Sequence, residues 1–268
     1  MDRVVFESVR KVFRHRPALF NWMGRERGGE TVALEKLSFS AANGQVLVLL
    51  GPNGSGKTTA LKLISTILLP DAGSVRVDDC DTVKNARRVR QKVGIAVATE
   101  RSFYPRLSAR ENLDFFAALD EVPRCDRPER IESVLCETGL EEQRDTLIMK
   151  FSSGMYQRLG IARALVKRPG VLLLDEPTRS LDAGTTAHFW STVRTLARQR
   201  TTILLATHNF AEAAAVGDRL LLLHRGQLLA DRHLHTGENA EALRSFYFEM
   251  TGEVDEAPGA THRAETLP

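Results

Sequence analysis

The segment Gly51–Thr59 carries the strongest chemical signal in the sequence. An apolar run typical of a buried strand, Val46–Leu50, precedes it, and a helical pattern begins after it. Strand, glycine-rich turn and helix are the context of a phosphate-binding loop, because the glycines let successive amides face phosphate oxygens and the helix N-terminus adds further donors. Lys57 can reach the terminal phosphates, and the Thr58 hydroxyl can ligate Mg²⁺. The predicted phosphate-binding residues are Gly51, Asn53, Gly54, Ser55, Gly56, Lys57, Thr58 and Thr59.

Two neighbouring carboxylates form the second signal. The aliphatic run Val171–Leu174 predicts a buried strand that delivers Asp175 and Glu176 to the C-terminal edge of a sheet. Ligands of open α/β sheets bind at that edge. We expect Asp175 to contribute to a Mg²⁺ shell and Glu176 to orient an attacking water or to accept its proton.

The remaining chemistry depends on context. Ser152–Gly154 precedes a helical pattern over 159–166, and alone it indicates only an ordinary N-cap. His208 follows the apolar run 203–207, where a histidine is commonly a structural residue. A functional role for the Ser152–Gly154 segment and for His208 is favoured because both lie in one chain with the glycine-rich loop and the acidic pair.

The order of elements predicts an α/β fold. Strand patterns at 4–12, 33–41, 73–77, 93–97, 171–174, 202–206 and 220–223 alternate with helical patterns, which favours a mostly parallel sheet. The region 106–167 is mostly helical in pattern. We expect a single domain over 1–250, with a core of about 1–97 and 168–235, an inserted helical subdomain of about 98–167, and a disordered tail at 251–268.

Composition narrows the function classes. A net charge of +3 over 268 residues is too small to indicate nucleic acid as a partner. The three cysteines are widely spaced and are typical of reduced thiols in a cytosolic protein. The sequence shows no signal peptide and no apolar run of about 20 residues, the length that spans a bilayer. We therefore expect this chain to move nothing across a membrane by itself.

The segment Arg14–Glu30 combines aromatic residues with arginines. A short amphipathic helix from Pro17 to about Met23 is predicted, because proline suits a first helical turn. Such a helix can contact lipid headgroups or a membrane partner. The alternative is a surface loop packed by its own aromatic side chains.

In this arrangement the chain resembles the nucleotide-binding subunits of ATP-binding-cassette (ABC) transporters. Their Leu-Ser-Gly-Gly-Gln signature has a counterpart here in which Phe151 stands for the Leu, Ser153 for the first Gly and Met155 for the Gln. The form Ser-x-Gly-Met-x-Gln-Arg is similar to that of ABC-2 type exporters. The resemblance extends from about Val4 to Asp231.

The resemblance implies a P-loop NTPase (RecA-like) fold with an antiparallel β edge, and an ATPase that uses ATP and Mg²⁺. It implies catalytic roles for Glu176, for Lys57 and for His208 as a switch histidine, and a D-loop at Ser180–Asp182. Phe13 lies where the family has an adenine-stacking aromatic, although it can equally be a core residue. The implied site residues outside the phosphate loop are Phe13, Ser152, Ser153, Gly154, Asp182, Glu176 and His208.

The resemblance also implies partners. Two copies pack head to tail, so that Ser152–Gly154 of one faces Gly51–Thr59 of the other. A separate integral membrane permease inserts a coupling helix near 99–105, which places the chain at the cytoplasmic face of the membrane. The segment 14–30 resembles the extended N-terminus of polysaccharide exporter ATPases. We therefore expect an exporter of a polysaccharide or lipid-linked polymer, with a drug or other small molecule as the alternative.

One departure from the family concerns the glutamine that usually ligates Mg²⁺ after the strand at 93–97. No glutamine is present there, and the spacing points to Ala98 or Thr99, with Glu100 beside them. Glu100 can supply a carboxylate oxygen to Mg²⁺ instead, or it can form a surface salt bridge.

ABC ATPases that act on ribosomes or DNA are a further alternative for the function of the chain, but these proteins have two cassettes or a long coiled-coil insertion. A small-molecule kinase is another alternative, but it would not need the signature.

Overall fold

Six strands form the central sheet of the protein, for which we obtained a computed structural model that describes residues 2–14, 29–97, 102–235 and 237–253. In sheet order, with numbering along the chain, they are β10 (Gln227–His233), β9 (Arg219–His224), β3 (Val46–Leu50), β8 (Thr202–Thr207), β7 (Val171–Asp175) and β6 (Val93–Val97). The pairs between β9 and β6 are parallel, and β10 pairs antiparallel with β9. The predicted α/β fold with a mostly parallel sheet is confirmed.

A second, antiparallel sheet covers one side of the core. Its order is β2 (Glu30–Ala42), β1 (Asp2–Arg14), β4 (Ala72–Val77) and β5 (Cys80–Asp81). The strands predicted at 4–12, 33–41 and 73–77 lie within these elements. This sheet supplies the antiparallel β edge that the resemblance implied.

Eight α-helices complete the described part of the chain. They are α1 (Lys57–Ile64), α2 (Ala86–Lys92), α3 (Ala109–Leu119), α4 (Arg127–Glu137), α5 (Ser153–Leu165), α6 (Ala183–Arg198), α7 (Phe210–Val216) and α8 (Ala240–Thr251), with short 3-10 helices at Glu141–Gln143 and Ile148–Lys150. Helices α3 to α5 lie between β6 and β7, in the region predicted to be helical. No helix among the described residues is long and apolar enough to cross a membrane.

The sequence placed the start of one helix wrongly. The pattern indicated a helix from about 159, whereas α5 begins at Ser153. Ser152 is its N-cap, and the Ser152 hydroxyl accepts a hydrogen bond from the Met155 amide at 3.2 Å. The first turn, Ser153–Tyr156, contains no fully buried residue, so apolar periodicity could not reveal it.

Both faces of the central sheet are buried, which explains the uninterrupted aliphatic runs in its strands. Alternate residues point to opposite faces. In β3, Val46, Val48 and Leu50 join the core formed with α3 to α8, while Leu47 and Leu49 join the core formed with α1 and the antiparallel sheet. The central sheet is therefore rigid, and the phosphate loop and the acidic pair lie at the C-terminal ends of its parallel strands.

Several expectations concern residues outside the described part of the chain. These are the helix predicted from Pro17 to about Met23, the segment with Ala98, Thr99 and Glu100, and the tail beyond Glu253. They stay predictions. Of the segment 14–30 the structure describes Arg14, Gly29 and Glu30, and the Arg14 Nε and Glu30 Oε1 atoms form an ion pair of 3.0 Å.

Candidate nucleotide site

Three adjacent strands bring the predicted site together. The phosphate loop follows β3, the acidic pair ends β7, and His208 follows β8, which lies between those two strands. All three strands are parallel, so their carboxyl ends meet at one edge of the sheet. A crevice at that edge is where α/β sheets bind ligands.

The phosphate loop needs its glycines because the backbone passes close to its neighbours. A Cβ at Gly56, where φ is 107°, would lie 2.6 Å from Leu34 Cδ2 and 2.7 Å from Ala33 O. A Cβ at Gly51 would lie 2.1 Å from Leu223 O. Substitution at either position would therefore displace the loop.

Lys57 begins α1 and is buried under the loop, with 6% of its surface exposed. Its Nζ donates hydrogen bonds to Gly51 O at 2.6 Å and to Pro52 O at 3.0 Å. Burial lowers the pKa of the Lys57 ammonium, while Glu176 and Asp175 act in the opposite direction. The ammonium thus occupies the interior of the loop, at the place where anionic oxygens would bind.

Thr58 and Asp175 meet on the other side of the loop. The Thr58 hydroxyl donates to Asp175 Oδ2 at 2.9 Å, and the distance from Thr58 Oγ1 to Asp175 Oδ1 is 3.1 Å. A hydroxyl and a carboxylate side by side are hard oxygen ligands that suit Mg²⁺, which usually takes one or two protein ligands and completes its shell with phosphate and water. The Thr58 hydroxyl and the Asp175 carboxylate therefore fit a magnesium site. A metal site of the other kind, built from three or more His, Cys, Asp or Glu side chains, does not occur in the described residues.

Burial raises the pKa of Asp175, and the hydrogen bond from Thr58 only partly offsets this effect. Because its pKa is raised on folding, Asp175 contributes to the stability of the folded protein at a pH below 3.8, the pKa of the carboxyl in the unfolded chain. This contribution to stability is lost as the pH rises through the pKa that Asp175 has in the folded protein. At neutral pH, ionised Asp175 thus destabilises the free protein. We expect Asp175→Asn to raise the melting temperature of the nucleotide-free, Mg²⁺-free protein at pH 7 by roughly 2–4 °C, as about 1 kcal/mol does in a chain of this size.

Calorimetry between pH 4 and pH 8 checks this expectation, because the gain should shrink as the pH falls. Asp71→Asn is the matched control with the opposite sign. A hydrogen bond from the Val12 amide lowers the pKa of Asp71, so its contribution to stability is present above 3.8 and is lost as the pH falls. A lower melting temperature for Asp175→Asn at pH 7 would contradict the account.

Glu176 is held in an unusual backbone conformation, with φ at 51°. Its amide donates to Ala206 O at 2.9 Å. Positive φ is uncommon for a residue with a side chain, but nine other described non-glycine residues share it, so it does not by itself mark a functional site. The Glu176 Oε1 atom lies 2.8 Å from His208 Nδ1, and the imidazole is 58% exposed. The predicted base and the predicted switch histidine are therefore in direct contact.

A cavity of about 510 Å³ joins the phosphate loop and the acidic pair to the antiparallel sheet, but Gly51 and His208 do not line it. Phe13, at the end of β1, is half-buried in its wall and is not among the buried core residues. Arg179, which the sequence analysis did not single out, also lines the cavity. The cavity is lined by Phe13, Thr31–Ala33, Asn53–Thr59, Lys62, Val97, Asp175, Glu176 and Arg179.

The Ser152–Gly154 turn does not line that cavity, but α5 is attached to it through Gln157. The Gln157 amide nitrogen donates to Glu176 O at 3.2 Å and to Pro177 O, and Gln157 Oε1 accepts from the Ser180 amide at 3.2 Å. Helix α5 therefore braces the backbone of the proposed base. Sequence reasoning treated Gln157 only as part of a motif, since nothing local reveals this long-range contact.

Asp182 caps α6 and also lies outside the cavity lining. It accepts hydrogen bonds from the Thr185 amide at 2.9 Å and the Thr185 hydroxyl at 2.7 Å. The bond from the Thr185 amide is the main cause of the lowered pKa of Asp182. Its contacts within this chain are those of an N-cap.

A sequence profile of the ABC transporter family matches residues 34–179, just over half of the chain. The chain belongs to the ABC transporter family. It is an ATPase whose hydrolysis of ATP is coupled to transport, as in its homologues. The match contains the phosphate loop, the Ser152–Gly154 turn and the acidic pair, which are the motifs that carried the resemblance.

Known ABC proteins resemble the chain over most of its length. It is 34% identical to the ABC transporter ATP-binding protein NatA of Bacillus subtilis, over 80% of this chain and 89% of that protein. It is 35% identical to the daunorubicin resistance ATP-binding protein DrrA3 of Streptomyces coeruleorubidus, over 77% of this chain and 65% of the relative. It is 33% identical to the Nod factor export ATP-binding protein I of Ralstonia nicotianae, over 88% of this chain and 78% of the relative.

Among solved structures, the dimeric, post-hydrolysis state of the ATP-binding cassette MJ0796 bound to ADP and Pi superposes with a TM-score of 0.75. It is 26% identical, and the alignment covers 87% of this chain and 99% of that structure. The predicted P-loop NTPase fold of an ABC cassette is confirmed, and the chain is an ATP-binding cassette.

Proposed function

We propose that the chain is the ATP-hydrolysing subunit of an exporter, and that two copies close head to tail around ATP to drive a separate membrane permease. The observation that carries the proposal is the contact between Glu176 and His208 beside the Lys57 ammonium and the Thr58–Asp175 pair. Phosphoryl transfer to water requires a positive group that neutralises phosphate charge, ligands for a metal ion and a base that positions the water. Lys57, the Thr58–Asp175 pair and Glu176 with His208 would fill these three roles in that order.

Each side chain has a task in this mechanism. The Lys57 ammonium would exchange its contacts with Gly51 O and Pro52 O for phosphate oxygens. Thr58 and Asp175 would hold Mg²⁺, which when bound neutralises phosphate charge. Glu176 Oε1 would orient a water and take up its proton, and His208, fixed by its contact with that oxygen, would face the terminal phosphate.

The second half of each site would come from a second copy. Ser152, Ser153, Gly154 and Asp182 lie outside the cavity lining of their own chain, as a role towards a partner's nucleotide requires. Ser152 and the first turn of α5 form a helix N-terminus, which is suited to a phosphate anion. The similar MJ0796 cassette is dimeric.

The proposed division of the chain follows the same reasoning. The core of about 1–97 and 168–235 would hold the nucleotide, and the helical subdomain of about 98–167 would present the Ser152 turn. Glu100 stays our proposed substitute for the missing glutamine as a Mg²⁺ ligand at the junction of the two. The proposed tail over 251–268 would begin at Thr251, which is the last residue of α8.

A permease would dock on the helical subdomain near Tyr104. The side chain of Tyr104 is 47% exposed, and its ring stands against Phe115 at a centroid distance of 4.9 Å. Asn112 fixes the Tyr104 backbone, because it accepts from Tyr104 N at 2.8 Å and donates to Tyr104 O at 3.1 Å. A rigid, partly exposed aromatic pair suits a protein partner.

With a permease bound there, the chain would lie at the cytoplasmic face of the membrane. The segment 14–30 would make a further contact with the membrane surface.

The proposed substrate is a polysaccharide or lipid-linked polymer. The segment 14–30 and the relative named for Nod factor export support this assignment. The relative named for daunorubicin resistance supports the alternative, a drug or another small molecule. An ABC ATPase that acts on ribosomes or DNA is the less favoured alternative.

Co-purification tests the proposal. After mild detergent extraction of the native host, the tagged chain should recover an integral membrane protein in roughly equal amount, as a stable obligate interface requires. Tyr104→Asp should abolish this recovery, because it places a charge in the apolar contact. Met250→Asp, at an exposed apolar position on α8 (39% against 47% for Tyr104), is the matched control. Recovery with ribosomes or DNA, and no membrane protein, would contradict the proposal.

A further inference from the structure

Glu212 is a buried carboxyl to which the proposed mechanism gives no task. It lies in the first turn of α7, and only 1% of its surface is exposed. Helix α7 follows His208 directly, with Asn209 as its N-cap. An ionisable side chain is rarely buried so completely without a partner, so its position asks for an explanation.

Helix capping does not explain it. Asn209 and Glu212 have the spacing of a capping box, in which the carboxyl accepts from the N-cap amide. Helix α3 contains the complete motif, because Glu111 Oε2 accepts from the Ser108 amide at 2.7 Å. In α7 the Asn209 amide instead donates to Thr207 Oγ1 at 3.0 Å, and the Glu212 carboxyl is buried.

Three elements surround the carboxyl. The side chains of Thr207 at the end of β8, Thr178 in the loop after β7 and Trp190 on α6 favour its ionised form. Burial outweighs them and raises the pKa of Glu212, and the charge of Glu176 acts in the same direction. Among the described residues, neither carboxyl oxygen, nor Trp190 Nε1, has a hydrogen-bond partner of good geometry. A neutral carboxyl there can donate one hydrogen bond and accept another.

We propose that Glu212 is a positioning residue for ATP hydrolysis, which joins the loop that carries Glu176 to the loop that carries His208. Thr178 is two residues after Glu176, and Thr207 is the residue before His208. The imidazole is 58% exposed, so packing alone does not fix its 2.8 Å contact with Glu176. Hydrogen bonds from the Glu212 carboxyl to these two threonines would supply the missing constraint.

The inference rests on the proposed roles of Glu176 and His208, and two substitutions test it. Glu212→Leu has a similar volume and removes the unpaired polar atoms, so the fold should be at least as stable as in the wild type. We expect its kcat for ATP to fall by about tenfold while its affinity for ATP stays close to that of the wild type. Glu212→Gln has nearly the same shape and supplies one donor group and one acceptor, so it should restore most of the lost kcat.

The outcomes separate the possibilities. Wild-type kcat in Glu212→Leu, or an equal loss in the Gln and Leu variants, would overturn the inference while the proposed function stands. Should Glu212→Leu not fold, Glu212→Ala replaces it, and Glu111→Ala, at the same helical position in α3, is the control, which is expected to lose stability but to keep kcat. A wild-type protein without ATPase activity would overturn the proposed function, and the inference with it.

Discussion

Glu176→Gln is expected to reduce ATP turnover by roughly 10²–10⁴-fold, the usual contribution of a positioned general base. The amide keeps the shape of the carboxylate but cannot accept a proton from water. ATP binding should persist, because Lys57, Thr58 and Asp175 are unchanged. The ATP-bound dimer should therefore accumulate, and it can be observed by size-exclusion chromatography in the presence of ATP and Mg²⁺ beside a steady-state phosphate-release assay.

Glu121→Gln is the control for this substitution. Glu121 forms an ion pair with Arg87 on the surface and does not line the nucleotide cavity, so its variant should hydrolyse ATP like the wild type. If Glu176→Gln kept wild-type turnover, the assignment of the base would be wrong. Another group would then have to orient the water.

Lys57→Met is expected to weaken ATP binding by about 10–100-fold, as the loss of charge-assisted hydrogen bonds of roughly 1.5–3 kcal/mol implies. Methionine retains much of the buried apolar stem, so the change is mainly one of charge. Isothermal titration with ATP and Mg²⁺ measures the affinity, and hydrolysis should fall further because phosphate charge is no longer neutralised.

Lys84→Met removes the same charge from an exposed position just before α2 and is the matched control. Its affinity for ATP should equal that of the wild type. Unchanged affinity in Lys57→Met would show that phosphates do not replace the Gly51 and Pro52 carbonyls around the ammonium.

The site could be predicted from sequence because its chemistry follows directly on its strands. Asp175 and His208 lie at or just after the ends of buried apolar runs, and parallel strands bring such ends to one edge. No periodicity could show which strands are neighbours, so the 2.8 Å contact between Glu176 and His208 was beyond sequence reasoning. The family resemblance supplied their roles, and the structure supplies their contact.

Contacts between distant segments account for what the sequence missed. Gln157 reaches residues 19 and 20 positions further along the chain, and no local pattern encodes such a bond. The same holds for Arg179, whose place in the cavity wall depends on the turn after β7. Strand β10 and helix α8 were not predicted, since their residues are mostly half-buried or exposed and lack a strong apolar pattern.

Helix α5 has a consequence for the way two bound nucleotides would communicate. Its first turn would contact the nucleotide of the partner, and little more than one turn later Gln157 is bonded to the backbone of Glu176 in its own chain. Any shift of this helix when the partner binds ATP would be transmitted to the hydrolytic carboxylate of the first chain. Each subunit would thus sense whether the opposite site is filled, and turnover would rise with ATP concentration along a sigmoidal curve.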